Sequence, residues 1–283
     1  MSDTRVPVAQ LLDEGRARLA GGESPRADAE ILLGHLLGRS RTWLLTWPEA
    51  RVEDDIQGAY RQLIERRHAG EPVAHLVGHR AFWGFELHVT PAVLIPRPDT
   101  EILVERALEF LPAGPCRVAD LGTGSGAVAL ALAQARPDID VLATDISADA
   151  LTVARGNAVR LGLAGRVRFV QGAWCAALGE ALFQLIVSNP PYIPAGDPHL
   201  AQGDLRFEPP GALVSGEDGL QDIRALIACV PAHLHPEGRF LFEHGYDQGE
   251  KARKLLEDAG YLDVQTFDDL GGRARVSGGC RPR

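Results

Sequence analysis

From Cys116 onward, short apolar runs alternate with segments long enough to be helices, and this commits most of the chain to a parallel sheet wound with crossover helices. Runs at 117–120, 140–144, 167–171, 183–188 and 239–243 predict strands, and two more near 262–267 and 274–277 bring the sheet to seven. Helices are expected at 125–136, 147–161, 220–234 and 248–259, in the gaps between them. The run Leu185-Ile186-Val187 is apolar at every position rather than at every second one, as in a strand covered on both faces. The expected class is therefore α/β. In such open sheets ligands bind beyond the carboxyl ends of the strands.

Two junctions at that edge stand out. The first is Asp120-Leu121-Gly122-Thr123-Gly124-Ser125-Gly126, between a strand and a helix. Glycines there permit a tight turn and close approach of a ligand to backbone, and the helix start offers N–H groups to an anionic or carboxylate group. Asp145 ends the next strand 19 residues after Gly126, where an acid can accept both hydroxyls of a ribose. A dinucleotide is the rival ligand, and an unliganded structural turn is the bland alternative. Two details favour S-adenosyl-L-methionine: the spacing is Gly-x-Gly-x-Gly, and Asp120 would repel a pyrophosphate while suiting the amino group of a methionine moiety.

The second junction is Asn189-Pro190-Pro191-Tyr192, directly after the 183–188 run. Neither proline has an N–H to donate, so the chain cannot continue there as a paired strand or enter a helix interior. The result is a stiff turn presenting the amide of Asn189 and the ring and hydroxyl of Tyr192, groups suited to a planar ligand that carries an NH2. An ordinary proline turn is the alternative reading. The Gly-, Pro- and acid-rich stretch 193–218 is a long loop, and loops of that length in compact domains are often functional.

The N-terminal quarter has a different texture. Val8, Leu11, Leu12 and Leu19 share a helical face over 8–20, Ser24-Pro25 reads as a helix start ahead of Ile31, Leu32, His35, Leu36 and Leu37, and shorter and longer helices follow at 42–46 and 53–68. Residues 73–78 and 85–89 are expected to form a β-hairpin, and Asp99 or Thr100 to cap a helix running to Phe110. The division is thus a helical bundle at 1–72, a hairpin linker at 73–97 and the α/β domain at 98–283.

Composition narrows the function classes. The net charge of −9 weighs against a protein whose main task is gripping duplex nucleic acid, because phosphate neutralisation dominates such affinity. Positive charge is nearly all arginine, since Lys251 and Lys254 are the only lysines. No run approaches a membrane-spanning length, and Met1 to Arg5 leads into a polar stretch unlike a cleavable signal, so a cytoplasmic protein is expected. Cys116, Cys175, Cys229 and Cys280 are widely spaced, which suggests reduced thiols rather than a disulfide framework or zinc site. His75, His79 and His88 lack metal-ligand spacing, and no metal is expected.

With these motifs placed, the chain resembles the class I methyltransferases and, more narrowly, the bacterial release factor glutamine methyltransferases, the HemK-like family. The resemblance runs over nearly the whole chain. It rests on the helical N-terminal region, the hairpin, Leu94-Ile95-Pro96-Arg97-Pro98-Asp99-Thr100-Glu101, Asp120 to Gly126, Asn189 to Tyr192, Phe207-Glu208-Pro209 and Glu243-His244-Gly245. Asn-Pro-Pro-Tyr is shared with adenine-amino DNA methyltransferases, whereas the Pro-Arg-Pro-Asp-Thr passage is more telling, because sister enzymes acting on a ribosomal protein tend to differ after the arginine.

The resemblance implies a seven-stranded Rossmann-like class I methyltransferase domain preceded by a small helical substrate-recognition bundle. It implies that Gly122, Thr123, Gly124, Ser125 and Gly126 wrap S-adenosyl-L-methionine, that Asp145 holds its ribose, that Trp174 flanks its adenine, and that Asn189 also contacts the cofactor. The family usually has Gly-Asp-Trp where this chain has Gly172-Ala173-Trp174, so a side-chain contact to the adenine amino group is in doubt. The implied reaction methylates the side-chain amide nitrogen, N(5), of the glutamine in the Gly-Gly-Gln motif of class I peptide chain release factors, leaving S-adenosyl-L-homocysteine. Asn189 Oδ1 and the Pro190 carbonyl would accept from the amide, with Pro191 and Tyr192 walling the pocket. A monomer without direct nucleic-acid or membrane contact is expected. An adenine-amino methyltransferase or a ribosomal-protein glutamine methyltransferase remains the alternative.

Overall fold

The computed structural model describes residues 5–282. Residues 1–4, part of the stretch read above for a targeting signal, and residue 283 lie outside it. The chain divides into two compact units, one made of residues up to His79 together with Ala201–Phe207, the other of Arg80–Leu200 and Glu208 onward.

The first unit is helical. It contains β1 (Val6–Pro7), α1 (Val8–Arg18), α2 (Pro25–Leu37), α3 (Arg41–Thr46), β2 (Arg51–Val52), α4 (Asp54–His68) and α5 (Val73–Val77). Ser24 precedes Pro25 at the first turn of α2, and Gly38 ends that helix in the left-handed conformation at φ 60°. Val8, Leu11, Leu32, Leu33, Leu44, Tyr60 and Ile64 form its buried core. Each such large side chain contributes about 1.5–3 kcal/mol on burial. The segment expected as the hairpin's first strand is instead α5: Pro72 leads into it and Gly78 closes it at φ 77°. A five-residue apolar run bounded by Pro and Gly has no periodicity to separate the two states. Asp204, in the segment that returns to this unit, pairs with Arg67 at 2.9 Å, and Arg67 also pairs with Asp28 at 2.7 Å.

The second unit begins with a hairpin of β3 (His79–Phe82) and β4 (Phe85–His88), then α6 (Glu101–Phe110). There follow β5 (Arg117–Leu121), α7 (Ala127–Ala135), β6 (Asp140–Asp145), α8 (Ala148–Arg160), β7 (Val167–Gln171), β8 (Phe183–Ser188), α9 (Gln221–Cys229), β9 (Leu234–Glu243), α10 (Gly249–Asp258), β10 (Leu262–Asp268) and β11 (Ala274–Cys280). The seven-stranded sheet has the order β10-β11-β9-β8-β5-β6-β7, parallel from β7 to β9 and antiparallel at β11 and β10.

Alternating residues along each strand feed two cores. Val118, Leu185 and Leu241 lie on one side with Leu103 and Leu130; Ala119, Ile186, Phe240 and Phe242 lie on the other with Ile223 and Leu226. The helix expected to reach residue 234 stops at Cys229 and becomes a 3-10 turn over Val230–His233, because Pro231 has no N–H to continue the ladder. The order of strands reverses between β5 and β8, and both carboxyl ends meet there.

Cys175 and Cys229 form a disulfide with Cα atoms 6.1 Å apart, which corrects the expectation of reduced, unpaired thiols. Separation along the chain concealed it: the 3-10 turn Trp174–Ala177 and the end of α9 pack on the same side of the sheet. Cys116 and Cys280 are free.

Candidate functional site

A cavity of about 420 Å³ lies at the carboxyl edge of β5, β6 and β8, within the second unit. One end is the glycine turn. Gly122, Gly124 and Gly126 all have positive φ, at 75°, 55° and 87°. A Cβ on Gly122 would meet the Trp174 ring at 3.1 Å, whereas one on Gly124 would meet nothing within 4 Å. Glycine is required at the first for close packing, and at the second the backbone itself faces open space.

The turn is tied down from behind. Thr144 O accepts from Gly122 N at 2.9 Å and Thr123 N at 2.8 Å. Buried Asn157, on α8, donates to Ser125 O at 2.9 Å and exchanges two bonds with the His88 backbone. Nothing in the sequence pattern marked this asparagine, which sits mid-helix.

Two acids, Asp120 and Asp145, line the cavity at this end. Asp145 Oδ2 accepts from Gly124 N and Oδ1 from Ser147 N, each at 2.9 Å, so its carboxylate is held rigidly with lone pairs to spare. Gly124 N, within the turn, is thus spent inside the protein. Asp120 is 1% exposed and accepts from Thr123 Oγ1 at 2.6 Å and Ala129 N at 3.1 Å. Burial, opposed by those bonds and reinforced by the nearby Asp145 charge, pushes its pKa up to about 6. Trp174 lines the same end and has φ 43°, an uncommon conformation for a bulky residue that is stored at sites where the surroundings over-determine it.

The other end is the Asn-Pro-Pro-Tyr turn. Asn189 and Pro191 line the cavity with Leu94, Pro96, Arg97 and Thr100; Pro190 is buried behind them. Asn189 Nδ2 donates to Thr100 Oγ1 at 3.2 Å, while its Oδ1 is buried and has no hydrogen-bond partner among the described residues. Tyr192 is not among the lining residues; its hydroxyl donates to Glu243 Oε1 at 3.1 Å. The sequence expectation that its ring walls the pocket is replaced by this inward bond. Gln248 donates to the Tyr192 carbonyl at 3.0 Å and accepts from Gly245 N at 2.9 Å, clamping the turn.

Thr100, the residue before α6, makes no capping bond, contrary to expectation; its hydroxyl accepts from Asn189 Nδ2. Asp99, the other expected cap, pairs with Arg275 at 3.0 Å. Buried Glu208 accepts from Ile95 N at 3.3 Å and pairs with Arg97, which fixes the extended strip along the cavity wall. Sequence reading singled out neither Thr100 nor Glu243 as part of the site, although both lie in motifs noted above.

S-adenosyl-L-methionine fits this donor set: a backbone cradle, a rigid carboxylate for hydroxyls, a second acid for an ammonium, and an aromatic ring. The chain is similar to known methyltransferases. The model of the PrmC N-terminal domain matches residues 10–78, and that of the methyltransferase small domain matches 99–202. A release factor glutamine methyltransferase of Bordetella pertussis is 53% identical over 264 residues, covering 92% of this chain and 97% of that protein. Its counterpart in Escherichia coli is 49% identical over 266 residues, covering 94% and 96%. Among solved structures, a ribosomal protein L11 methylase of Lactobacillus delbrueckii superposes with a TM-score of 0.51 at 25% identity, over 69% of this chain and 84% of that one.

Proposed function

The chain belongs to the release factor glutamine methyltransferase family, and from that premise we propose that its cavity methylates the side-chain amide nitrogen of the glutamine in the Gly-Gly-Gln motif of class I peptide chain release factors. Bound at the glycine end, S-adenosyl-L-methionine supplies a methyl group on a sulfonium sulfur and leaves as S-adenosyl-L-homocysteine. Gly122 to Gly126 would hold it, Asp145 would accept from the ribose hydroxyls, Asp120 would balance the amino group, and Trp174 would flank the adenine.

The observation that carries the reading is Asn189 Oδ1, a buried acceptor without a partner at the edge of the cavity. A buried polar atom left unpaired costs about 1–3 kcal/mol, and a substrate NH2 would recover it. An amide nitrogen is a poor nucleophile because its lone pair is delocalised into the carbonyl. Accepting its hydrogens at Asn189 Oδ1 and the Pro190 carbonyl turns that lone pair toward the methyl and favours a pyramidal nitrogen. Positioning is then the main contribution, and a displacement of about 1 Å costs roughly 10²-fold. The proton leaves after transfer, so no side chain is required as a base. The helical unit is the proposed surface for the release factor, and a substrate drawn from translation places the protein in the cytoplasm; no helix among the described residues is long and apolar enough to cross a membrane.

The test is label transfer from S-adenosyl-L-methionine into a release factor, its Gly-Gly-Ala variant and unmethylated DNA. Label in the first alone supports the reading. Label in DNA would mean that the Asn-Pro-Pro-Tyr turn takes a base, and the proposed substrate would be wrong.

A further inference from the structure

The disulfide between Cys175 and Cys229 ties together two walls of the cavity. Cys175 follows Trp174 in the 3-10 turn Trp174–Ala177, and Gly172, Ala173 and Trp174 line the cavity. Cys229 ends α9, whose first turn carries Asp222, another lining residue, which exchanges two hydrogen bonds with Ser215 at 2.7 and 2.8 Å. The two cysteines are 54 residues apart along the chain. The backbone bonds of the turn are short in reach. Ala176 N donates to Ala173 O and Leu178 N to Cys175 O, while Gly172 N ties its start to Asp145 O, each at 3.0 Å. Trp174 sits there at φ 43°, a conformation that persists only where the surroundings over-determine it. The crosslink to α9 is one such restraint.

In the cytoplasm, where the protein is placed above, most thiols are kept reduced, and a disulfide is usually transient and either catalytic or redox-sensing. We propose that Cys175 and Cys229 are a reversible thiol–disulfide site which, when oxidised, holds Trp174 in the cavity wall and raises the affinity for S-adenosyl-L-methionine. This rests on the cofactor reading given above. Cys175 is buried and Cys229 half-buried, so exchange starts at Cys229. A thiolate of a dithiol reductant attacks the Cys229 sulfur, the bond between the two protein sulfurs breaks, and Cys175 leaves as a thiolate that takes up a proton. The second thiol of the reductant then displaces Cys229 from the mixed disulfide. Two electrons and two protons have passed to the protein, and the dithiol has become a disulfide. Oxidation by a small-molecule disulfide such as glutathione disulfide runs the same exchange in reverse. In the reduced form the turn keeps its backbone bonds but loses its tie to α9. Bound cofactor must then order Trp174 itself, and that ordering is subtracted from its affinity.

The experiment compares the full chain after glutathione disulfide and after dithiothreitol. A non-reducing digest read by mass should contain the crosslinked Cys175 and Cys229 peptides in the first case, and both cysteines should alkylate in the second. Amide hydrogen exchange over residues 172–178, measured without cofactor, should be faster in the reduced form. The calorimetric Kd for S-adenosyl-L-methionine should rise about three- to tenfold on reduction, the cost of ordering one or two side chains, and return on reoxidation. The double variant Cys175→Ser, Cys229→Ser should bind as the reduced protein does and ignore both reagents; if it fails to fold, the reversal in the wild type carries the test. No crosslinked peptide, or the same Kd in both forms, would overturn the proposal. Binding by neither form would overturn the cofactor reading instead, and the exchange comparison would still decide whether the pair restrains the turn.

Discussion

At the glycine end of the cavity the ligand-facing surface is backbone, and its supports come from β6 and α8, the elements that follow directly in the chain: Thr144, Asp145, Ser147 and Asn157. At the Asn189 end the surface is a side chain, and its supports are Thr100, 89 residues away along the chain, and, for the neighbouring Tyr192, Glu243 on β9. The first arrangement suits a ligand that must be held whole. The second suits an atom whose orientation has to be right to a fraction of an ångström. On this account the glycine end sets cofactor affinity and the Asn189 end sets turnover, and substitutions can separate the two.

The largest effect is expected at the Asn189 end. Asn189→Ala should lower kcat by about 10²- to 10³-fold, the range for removing one preorganised polar contact to the reacting group, as read by initial rates at saturating cofactor. At the other end, Asp145→Ala should remove charge-assisted bonds of roughly 1.5–3 kcal/mol and raise the apparent cofactor KM about ten- to a hundredfold, with kcat recovered at saturation. If saturating cofactor leaves that variant dead, the ribose assignment is wrong.

A smaller effect probes the backbone itself. Gly122→Ala puts a Cβ at φ 75° and 3.1 Å from the Trp174 ring, and should cost about 1–2 kcal/mol of stability in a denaturant titration, with weakened cofactor binding. Unchanged stability would mean that the turn tolerates a side chain and is not the close-packed cradle described.

The smallest effect is a pH slope that distinguishes the two buried acids. Asp120 and Glu243 have native pKa values raised to about 6 and about 7, so each binds more protons folded than unfolded below those values, and its contribution to stability falls as pH rises through them. His35 and His244, held below their usual value by burial, pull the other way. Subtracting the neutral variants Glu243→Gln and Asp120→Asn isolates each acid. Between about pH 8 and 6.5 the wild type should gain about 1 kcal/mol relative to Glu243→Gln and roughly a few tenths relative to Asp120→Asn. Equal slopes would place the two carboxyls in equivalent surroundings.

The same contrast explains what was legible before the structure. The glycine turn, Asp145 and the Asn-Pro-Pro-Tyr corner are contiguous, and strands such as Val167–Gln171 and Phe183–Ser188 announce themselves by composition and flanking turns. Long-range partnerships leave no such trace. Thr100 reads as a helix cap and Glu243 as the end of a strand, and only folding brings the first to Asn189 and the second to Tyr192. Tyr192 was expected at the cavity wall because its type suits stacking; its hydroxyl finds Glu243 from the side that the turn conceals. The Cys175–Cys229 pairing and the return of Ala201–Phe207 to the helical unit are of the same kind. At α5, local signals themselves were ambiguous, since Pro72 and Gly78 bound a strand and a short helix equally well.

The division of labour is tested most directly by calorimetric titration of S-adenosyl-L-methionine into the Asn189→Ala variant. The account predicts an affinity within about threefold of the wild type, because the glycine end binds independently of the amide that orients the substrate. An affinity that falls in step with kcat would contradict it, and would make Asn189 a support of the whole cavity rather than the residue that presents the glutamine nitrogen for transfer.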